Sequence, residues 1–140
     1  SGRQAGSVVA PGGRVALSRL KLLALGRRGA EALSLLAIQI VTGRQHQIRL
    51  QMAHVGHPMV TDKRYFSSIN CLKDMLWCRR NFLHRYRLAF LGASQTQVEV
   101  LEPLPLDLQA ALAHVLPGDA GDASLKALQF WQSGSPPQCW

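Results

Sequence analysis

The sequence predicts an α+β fold with a mainly antiparallel sheet and helices inserted between its hairpins. Two observations indicate this class. Two pairs of apolar, partly alternating segments are joined by short turns, and segments with helical periodicity follow each pair. With 140 residues, 47% of them hydrophobic and 17% charged, the chain can form one domain with a packed core, or part of a larger domain.

The first half of the chain is expected to contain a hairpin followed by a helix. The apolar runs 14–25 and 31–41 flank a turn with glycine at both sides. The second run is apolar at nearly every position, which is typical of a central strand covered on both faces. Segment 44–55 has helical periodicity, with Thr42 placed to cap its start and Gly56 just beyond its end.

A turn and a second helix are expected next. Residues 56–66 read as a turn followed by a short extended piece. Segment 67–82 fits a helix whose inward face carries Ile69, Leu72 and Leu76.

The last part of the chain is expected to form a second hairpin and two further helices. Segments 83–90 and 95–102 alternate as strands, and a proline-opened helix follows at 103–116. A short helix at 124–131 precedes a tail at 132–140. The inward positions of the proline-opened helix are Leu108, Leu112 and Val115.

The charge is unevenly distributed. Residues 1–90 carry 15 Lys and Arg against three carboxylates, a local charge of +12, whereas residues 91–140 have a local charge of −4. This favours a polyanionic partner such as nucleic acid, with a solvated basic surface as the alternative. Three cysteines at no zinc spacing indicate an intracellular chain with free thiols, in the cytoplasm or in a mitochondrion. The acid-free start lacks the apolar core of a secretory signal, and it fits an organellar precursor or a loop of a longer protein equally well.

The donor-rich segment 41–66 holds one carboxylate among several Arg and His residues. Arg44 falls where the first helix is expected to begin, and free backbone N–H groups at such a position favour an anion. His46 and Arg49 follow within about one turn, a cluster that suits a phosphate or a carboxylate supplied from elsewhere. Arg49 lies at the edge of the apolar seam, which is the apolar face of the helix expected over segment 44–55, so it requires a partner.

The segment "TGRQHQIR", followed by "GHPMVTDKRY", "LHRYRL" and "PLPLD", resembles the C-terminal half of an RluA-type pseudouridine synthase. The resemblance covers roughly residues 15–115. It implies a pseudouridine-synthase-like fold, an RNA substrate (rRNA or tRNA), isomerisation of uridine to pseudouridine after extrusion of the base, and no metal or organic cofactor.

The resemblance also assigns residues. Arg49 would pair with the catalytic Asp of the family and orient it. Residues expected to face RNA are Arg44, His46, Gln47, Lys63, Arg64, Arg79 and Arg80. Residues expected to be structural are Thr42, Gly43, Gly56, His57, Pro58, Asp62, Tyr65 and His84, the last with a satisfied hydrogen bond.

Two departures from the family pattern stand out. Thr61 replaces the usual Gly of the turn, which predicts a changed turn geometry. The R-L-D motif that carries the catalytic Asp is absent, because the only carboxylate before Thr42 is Glu31. Asp62, beside Lys63 and Arg64, reads as a turn cap or salt-bridge partner rather than a nucleophile.

The chain is therefore expected to be inactive alone, as an incomplete catalytic domain. Residues 1–13 would be a loop or a remnant of expression, 14–116 the C-terminal half of the catalytic domain, and 117–140 an extension and tail. Its partners would be RNA, the missing N-terminal half of the same domain and, because apolar surface is left exposed, a second copy of the fragment, but no membrane. The alternative is a non-catalytic RNA-binding or ribosome-assembly protein on the same fold. A metal site is disfavoured, because the histidines lack metal-ligand spacing.

Overall fold

The computed structural model describes residues 7–118 and 122–135, and it confirms the α+β class with antiparallel sheets. The chain divides into two compact units, Ser1–Lys21 with Ile38–Phe82, and Leu22–Ala37 with Leu83–Trp140. The elements in chain order are β1 (Ser18–Arg28), β2 (Glu31–Ile40), α1 (Gln47–His54), α2 (Ser68–Asp74), β3 (Arg87–Leu91), β4 (Gln97–Leu101), α3 (Leu106–Leu112), β5 (Leu116–Pro117) and α4 (Asp122–Gln132).

A three-stranded sheet has the order β2-β1-β5. Strand β5 was not predicted, since two residues are too short to show a periodicity. It pairs antiparallel with β1, with Gly26 opposite Pro117. The close approach requires glycine, because a Cβ at Gly26 would lie 2.4 Å from Cγ1 of Val115.

The prediction that the second apolar run forms a central strand covered on both faces is wrong. Within the described residues β2 lies at the edge of its sheet, and Ala37 is its one buried residue. A continuous apolar run shows that a strand has little polar surface, but it does not tell a central strand from an edge strand.

Helices α3 and α4 form the core of the second unit. Leu108, Leu112 and Val115, which were predicted to face inward, are all buried. The helix is shorter than the predicted 103–116, so Val115 lies beyond its end. Leu128 and Trp131 of α4 are buried as well, so residues beyond the predicted boundary at 116 contribute to this core.

Strands β3 and β4 form the second predicted hairpin, with Arg87 opposite Leu101 and Leu91 opposite Gln97. Both strands are shorter than predicted, and residues 83–86 lie outside the strand. Apolar side chains of this hairpin, including Leu88, remain exposed.

In the first unit, α1 begins three residues later than predicted. Thr42 does not cap it, since the residue at the N-cap is His46, in the left-handed region at φ 54°. The end is as predicted: Gly56 has φ 84°, its N–H donates to Ala53, and the N–H of His57 donates to Met52. These two bonds are the Schellman motif that closes many helices.

The second helix was predicted over 67–82, and α2 differs from that prediction in its length and in the face that it buries. It ends at Asp74, and the three positions predicted to face inward are exposed, led by Leu76 at 84%. The inward side carries Cys71 and Asp74 instead. Because a carboxylate and a thiol form this inward face, the spacing of apolar residues does not predict it.

In the described ranges, no helix is long and apolar enough to cross a membrane.

Candidate active site

The centre of the first unit's polar cluster is an ion pair between Arg49, on α1, and Asp62, in the turn after it. Nε of Arg49 donates to Oδ2 of Asp62 at 2.9 Å, and Nη2 donates to Oδ1 at 2.7 Å. The Asp62 side chain is fully buried and that of Arg49 is 21% exposed. This bidentate geometry is the strongest form of an Arg–carboxylate pair. The half-buried Arg49 does require a partner, as predicted, and this chain supplies one.

Asp62 is held by more than the guanidinium. Its Oδ1 also accepts hydrogen bonds from the backbone N–H groups of Arg64 and Tyr65, at 2.9 and 3.0 Å. Burial alone would raise the pKa of Asp62, but the bond from Arg49 and the two N–H groups outweigh it and lower that pKa. The bond to Asp62 likewise raises the pKa of Arg49. Asp62 is therefore the turn cap and salt-bridge partner expected, though its ion-pair partner is Arg49.

Thr61 keeps the left-handed conformation that glycine usually supplies, with φ 58°. Glycine adopts this conformation readily, so Thr61 takes a φ that favours the residue it replaces. A β-branched residue in this region is strained, and two buried hydrogen bonds hold it there. Its N–H donates to Oδ2 of Asp74 at 3.0 Å, and its hydroxyl donates to the carbonyl of Cys78 at 2.6 Å.

The ring of Tyr65 lies beside the guanidinium of Arg49. The guanidinium carbon of Arg49 lies 5.2 Å from the centre of the Tyr65 ring, a cation–π distance. The Tyr65 hydroxyl is 3.0 Å from Nδ1 of His46, whose ring meets the Tyr65 ring edge to face. His46, predicted to face RNA, is therefore half-buried and engaged with Tyr65.

The prediction that Gln47 faces RNA is wrong, because the residue is buried, with 5% of its surface exposed. Its Nε2 donates to the carbonyl of Leu17 and to the hydroxyl of Ser18. Its Oε1 accepts from the hydroxyl of Thr42 and the N–H of Arg44. A glutamine that uses both ends of its amide in this way joins α1 to the start of β1, and periodicity gave no sign of it.

Arg44 and Thr42 are tied to the segment before β1. Nε of Arg44 donates to the carbonyl of Val15, although the residue is exposed. The hydroxyl of Thr42 accepts from the N–H of Leu17, so Thr42 is structural as predicted but not a helix cap. Arg44 does not begin the helix with a free N–H as predicted, because α1 begins at Gln47 and the Gln47 side chain accepts from the N–H of Arg44.

The remaining predicted residues fall into two groups. Those expected to bind phosphates are exposed: Lys63, Arg64, Arg79 and Arg80. Those expected to shape the turn are Gly43 and His57, which are exposed, and Pro58, which is half-buried. In the second unit, His84 makes the predicted structural hydrogen bond, with Nε2 2.9 Å from the carbonyl of Glu102.

The sequence did not identify Asn81, which joins the cluster after α2. In the amide orientation that satisfies both neighbours, its nitrogen donates to the carbonyl of Thr61 at 2.7 Å and its oxygen accepts from Nε of Arg49 at 3.2 Å. A single polar residue between α2 and β3 carries no periodic signal.

The described residues of the site offer hydrogen-bond donors but no free carboxylate. Asp62 is fully buried and Asp74 is 7% exposed, and both accept hydrogen bonds from neighbouring backbone groups. Neither is placed to act as a nucleophile or general base. No hydrogen bond among the described residues uses Nη1 of Arg49. The cluster can thus present a fixed, charged guanidinium edge to an external anion.

No protein-family model matches the chain. Among known proteins, it is 32% identical over 102 residues to the uncharacterized RNA pseudouridine synthase YhcT of Bacillus subtilis, covering 72% of this chain and 31% of that protein. It is 34% identical over 106 residues to ribosomal large subunit pseudouridine synthase C of Vibrio cholerae, covering 74% of this chain and 32% of that protein.

A solved structure, human RNA pseudouridylate synthase domain containing 1, matches with a TM-score of 0.62 and 25% identity, over 88% of this chain and 48% of that one. A shorter segment of 53 residues is 49% identical to a MATH and LRR domain-containing protein of Plasmodium falciparum, but it rounds to 0% of that protein's length. The chain spans about a third of the two bacterial synthases above. The sequence similarity, the fold and the "TGRQHQIR" segment that leads into α1 together support the RluA-type family of RNA pseudouridine synthases for this chain.

Proposed function

We propose that the protein containing this chain is an RNA pseudouridine synthase, and that this chain contributes the guanidinium of Arg49 to its active site. The observation that carries the proposal is the Arg49–Asp62 pair on the family's segment, with Nη1 outside the described hydrogen bonds. Arg49 would hold the catalytic carboxylate, ionised and oriented, while that carboxylate promotes cleavage of the glycosidic bond.

The catalytic carboxylate itself would come from the part of the catalytic domain that this chain does not include. The chain's two carboxylates closest to the site, Asp62 and Asp74, are buried and already bonded. The share of its relatives that the chain spans, about a third, is consistent with this division. On this proposal, residues 14–116 are the C-terminal half of the domain, and the chain alone is inactive.

The RNA would be bound by the exposed basic side chains around the ion pair. Lys63 follows Asp62 directly in the same turn, and Arg79 lies in the loop after α2. Phosphate contacts of this kind supply affinity without sequence preference, so they fit a substrate of rRNA or tRNA. The compartment, cytoplasm or mitochondrion, belongs to the same proposal.

Exposed apolar side chains supply the reason to expect a covering partner. Leu22 of β1 is 54% exposed, and Phe90 and Leu91 of β3 are 48% and 64% exposed. Where such side chains form a contiguous patch, they favour a covering partner. In the parent protein we expect the N-terminal half of the domain to cover them, and in the isolated chain we expect self-association, which light scattering can measure.

The test is Arg49→Ala in the full-length protein, assayed for release of tritium from RNA carrying [5-³H]uridine. Pseudouridine formation joins C5 to the ribose and frees the C5 hydrogen, so the label reports the reaction directly. The turnover rate is expected to fall by roughly 10² to 10³, the range for loss of one preorganised electrostatic contact, while affinity for RNA changes little.

The matched control is Arg87→Ala, which removes a partly exposed arginine paired with Glu99 on the β3–β4 hairpin. It is expected to leave turnover unchanged. Equal loss of RNA affinity and turnover in Arg49→Ala would identify Arg49 as a phosphate contact. A wild-type protein that binds RNA without releasing tritium would instead favour the non-catalytic RNA-binding alternative.

A further inference from the structure

Asn81 lies where the loop after α2 runs beside the turn that holds Asp62. The N–H of Phe82 donates to the carbonyl of Val60 at 3.2 Å, which fixes this loop against the turn. The half-buried Asn81 amide then reaches two groups at once, the carbonyl of Thr61 and Nε of Arg49. Asn81 thus connects the strained residue of the turn to the guanidinium.

The proton on Nε of Arg49 is shared between two acceptors. Oδ2 of Asp62 lies at 2.9 Å and the amide oxygen of Asn81 at 3.2 Å. Because the guanidinium is planar and rigid, two acceptors on Nε and a third bond from Nη2 fix the direction of Nη1. With Asp62 alone, the plane of the guanidinium could still rotate about the line of the ion pair.

We propose that Asn81 is a positioning residue, which aims the Nη1 edge of Arg49 at the catalytic carboxylate. This proposal rests on the proposed function. Asn81 would not touch the substrate. It would act through Arg49, as an outer residue that orients an inner one, a role whose loss is commonly felt as an order of magnitude in activity.

The experiment compares Asn81→Ala with Asn81→Gln in the full-length protein, again by tritium release, over a range of pH. Asn81→Ala is expected to lower kcat roughly 10-fold, with the KM for RNA unchanged. The acid limb of the kcat profile is expected to move to higher pH, since a poorly aimed Arg49 stabilises the catalytic carboxylate less. Asn81→Gln keeps the amide and should recover most of the loss.

A merely structural role would reduce the amount of active enzyme and scale kcat without moving the acid limb. The matched control is Asn70→Ala, on α2, which removes the same group from a residue whose described hydrogen bond uses its backbone. An unmoved acid limb in Asn81→Ala, or a shift of equal size in Asn70→Ala, would overturn the proposal.

A second readout separates this proposal from the proposed function. In ¹⁵N-labelled protein, the Nε–H resonance of Arg49 should exchange slowly with water, and faster in Asn81→Ala but not in Asn70→Ala. If the wild type releases no tritium, the proposed function fails and the catalytic role of Asn81 with it. If the resonance is unaffected by Asn81→Ala, the contact with Arg49 is absent and the positioning role fails, whatever the activity.

Discussion

Arg49 and Asp62 show how one residue pair can serve both the fold and a site. A buried carboxylate is costly unless it is hydrogen-bonded, and Asp62 meets that cost with two bonds from Arg49 and two from backbone N–H groups. Together with the contact from Asn81, the two bonds from Arg49 hold the guanidinium in one orientation. A residue that stabilises the turn therefore also prepares Arg49 to meet a second anion.

The pKa of Asp62 leads to a prediction at this scale. Because the folded-state pKa is lowered from 3.8, the ionised carboxylate contributes stability that is present above that pH and is lost as the pH falls through the folded value. Asp62→Asn should reduce the free energy of unfolding at pH 7 by about 3 kcal/mol, since it leaves a half-buried Arg49 without its counter-charge. It should also remove this part of the acid sensitivity.

Urea unfolding of the chain at pH 7 and at decreasing pH below 4 measures both effects. Asp122→Asn is the matched control, because Asp122 pairs with Lys126 on the surface of α4, and such pairs contribute about 0.5 kcal/mol or less. If both substitutions lowered the free energy of unfolding equally, the Asp62–Arg49 pair would stabilise the fold no more than a surface pair does.

The sequence predicted only part of the contacts made by these residues. That Arg49 needs a partner followed from its place beside the apolar seam. That the partner is Asp62 did not follow, because the contact depends on the left-handed turn at Thr61, where the expected residue is glycine. Gln47 and Asn81 were misassigned or missed for a similar reason: their bonds reach residues far along the chain.

At the scale of elements, helix α1 carries Arg49, and its end is defined by Gly56. The left-handed φ of 84° there permits both bonds of the Schellman motif. Gly56→Ala should lower the free energy of unfolding by about 1 kcal/mol, since a Cβ is disfavoured in this conformation. Space is not the reason, because a Cβ at Gly56 meets no atom within 4 Å.

Gly43→Ala gives the comparison for this measurement by urea unfolding. A Cβ at Gly43 also meets nothing, and Gly43 is not among the described glycines with positive φ. Its substitution should change the free energy of unfolding by less than about 0.5 kcal/mol. If Gly43→Ala were as costly as Gly56→Ala, backbone conformation would not explain the effect.

Most elements could be predicted because their patterns are local. Both hairpins, α1, α3 and α4 follow from alternation or helical period within one segment. The inward face of α2 could not, because Asp74 faces inward to accept from the N–H of Thr61. The edge position of β2 and the existence of β5 depend on which strands pair, which no single segment records.

At the scale of the whole molecule, the basic charge lies in the part of the chain that carries the site. Residues 1–90 have a local charge of +12 and residues 91–140 of −4. If Lys63 contacts a phosphate, Lys63→Ala should weaken binding similarly for different RNA sequences. It should also reduce the slope of log K against log salt concentration by about 0.7, the value for one contact to single-stranded nucleic acid.

Filter binding at several salt concentrations measures this slope in the full-length protein. Lys126→Ala is the control, since Lys126 lies on α4 and pairs with Asp122; its slope should equal that of the wild type. An unchanged slope in Lys63→Ala would remove Lys63 from the RNA-binding surface.

On the proposed function, Arg49 acts in a uridine-isomerising site as a guanidinium held in place by Asp62. Tritium release from [5-³H]uridine RNA by the full-length protein, at saturating RNA and with Arg49→Ala beside Arg87→Ala, tests it most directly. We expect release by the wild type and by Arg87→Ala, and roughly 10² to 10³ times slower release by Arg49→Ala. Release by Arg49→Ala at the wild-type rate would contradict it.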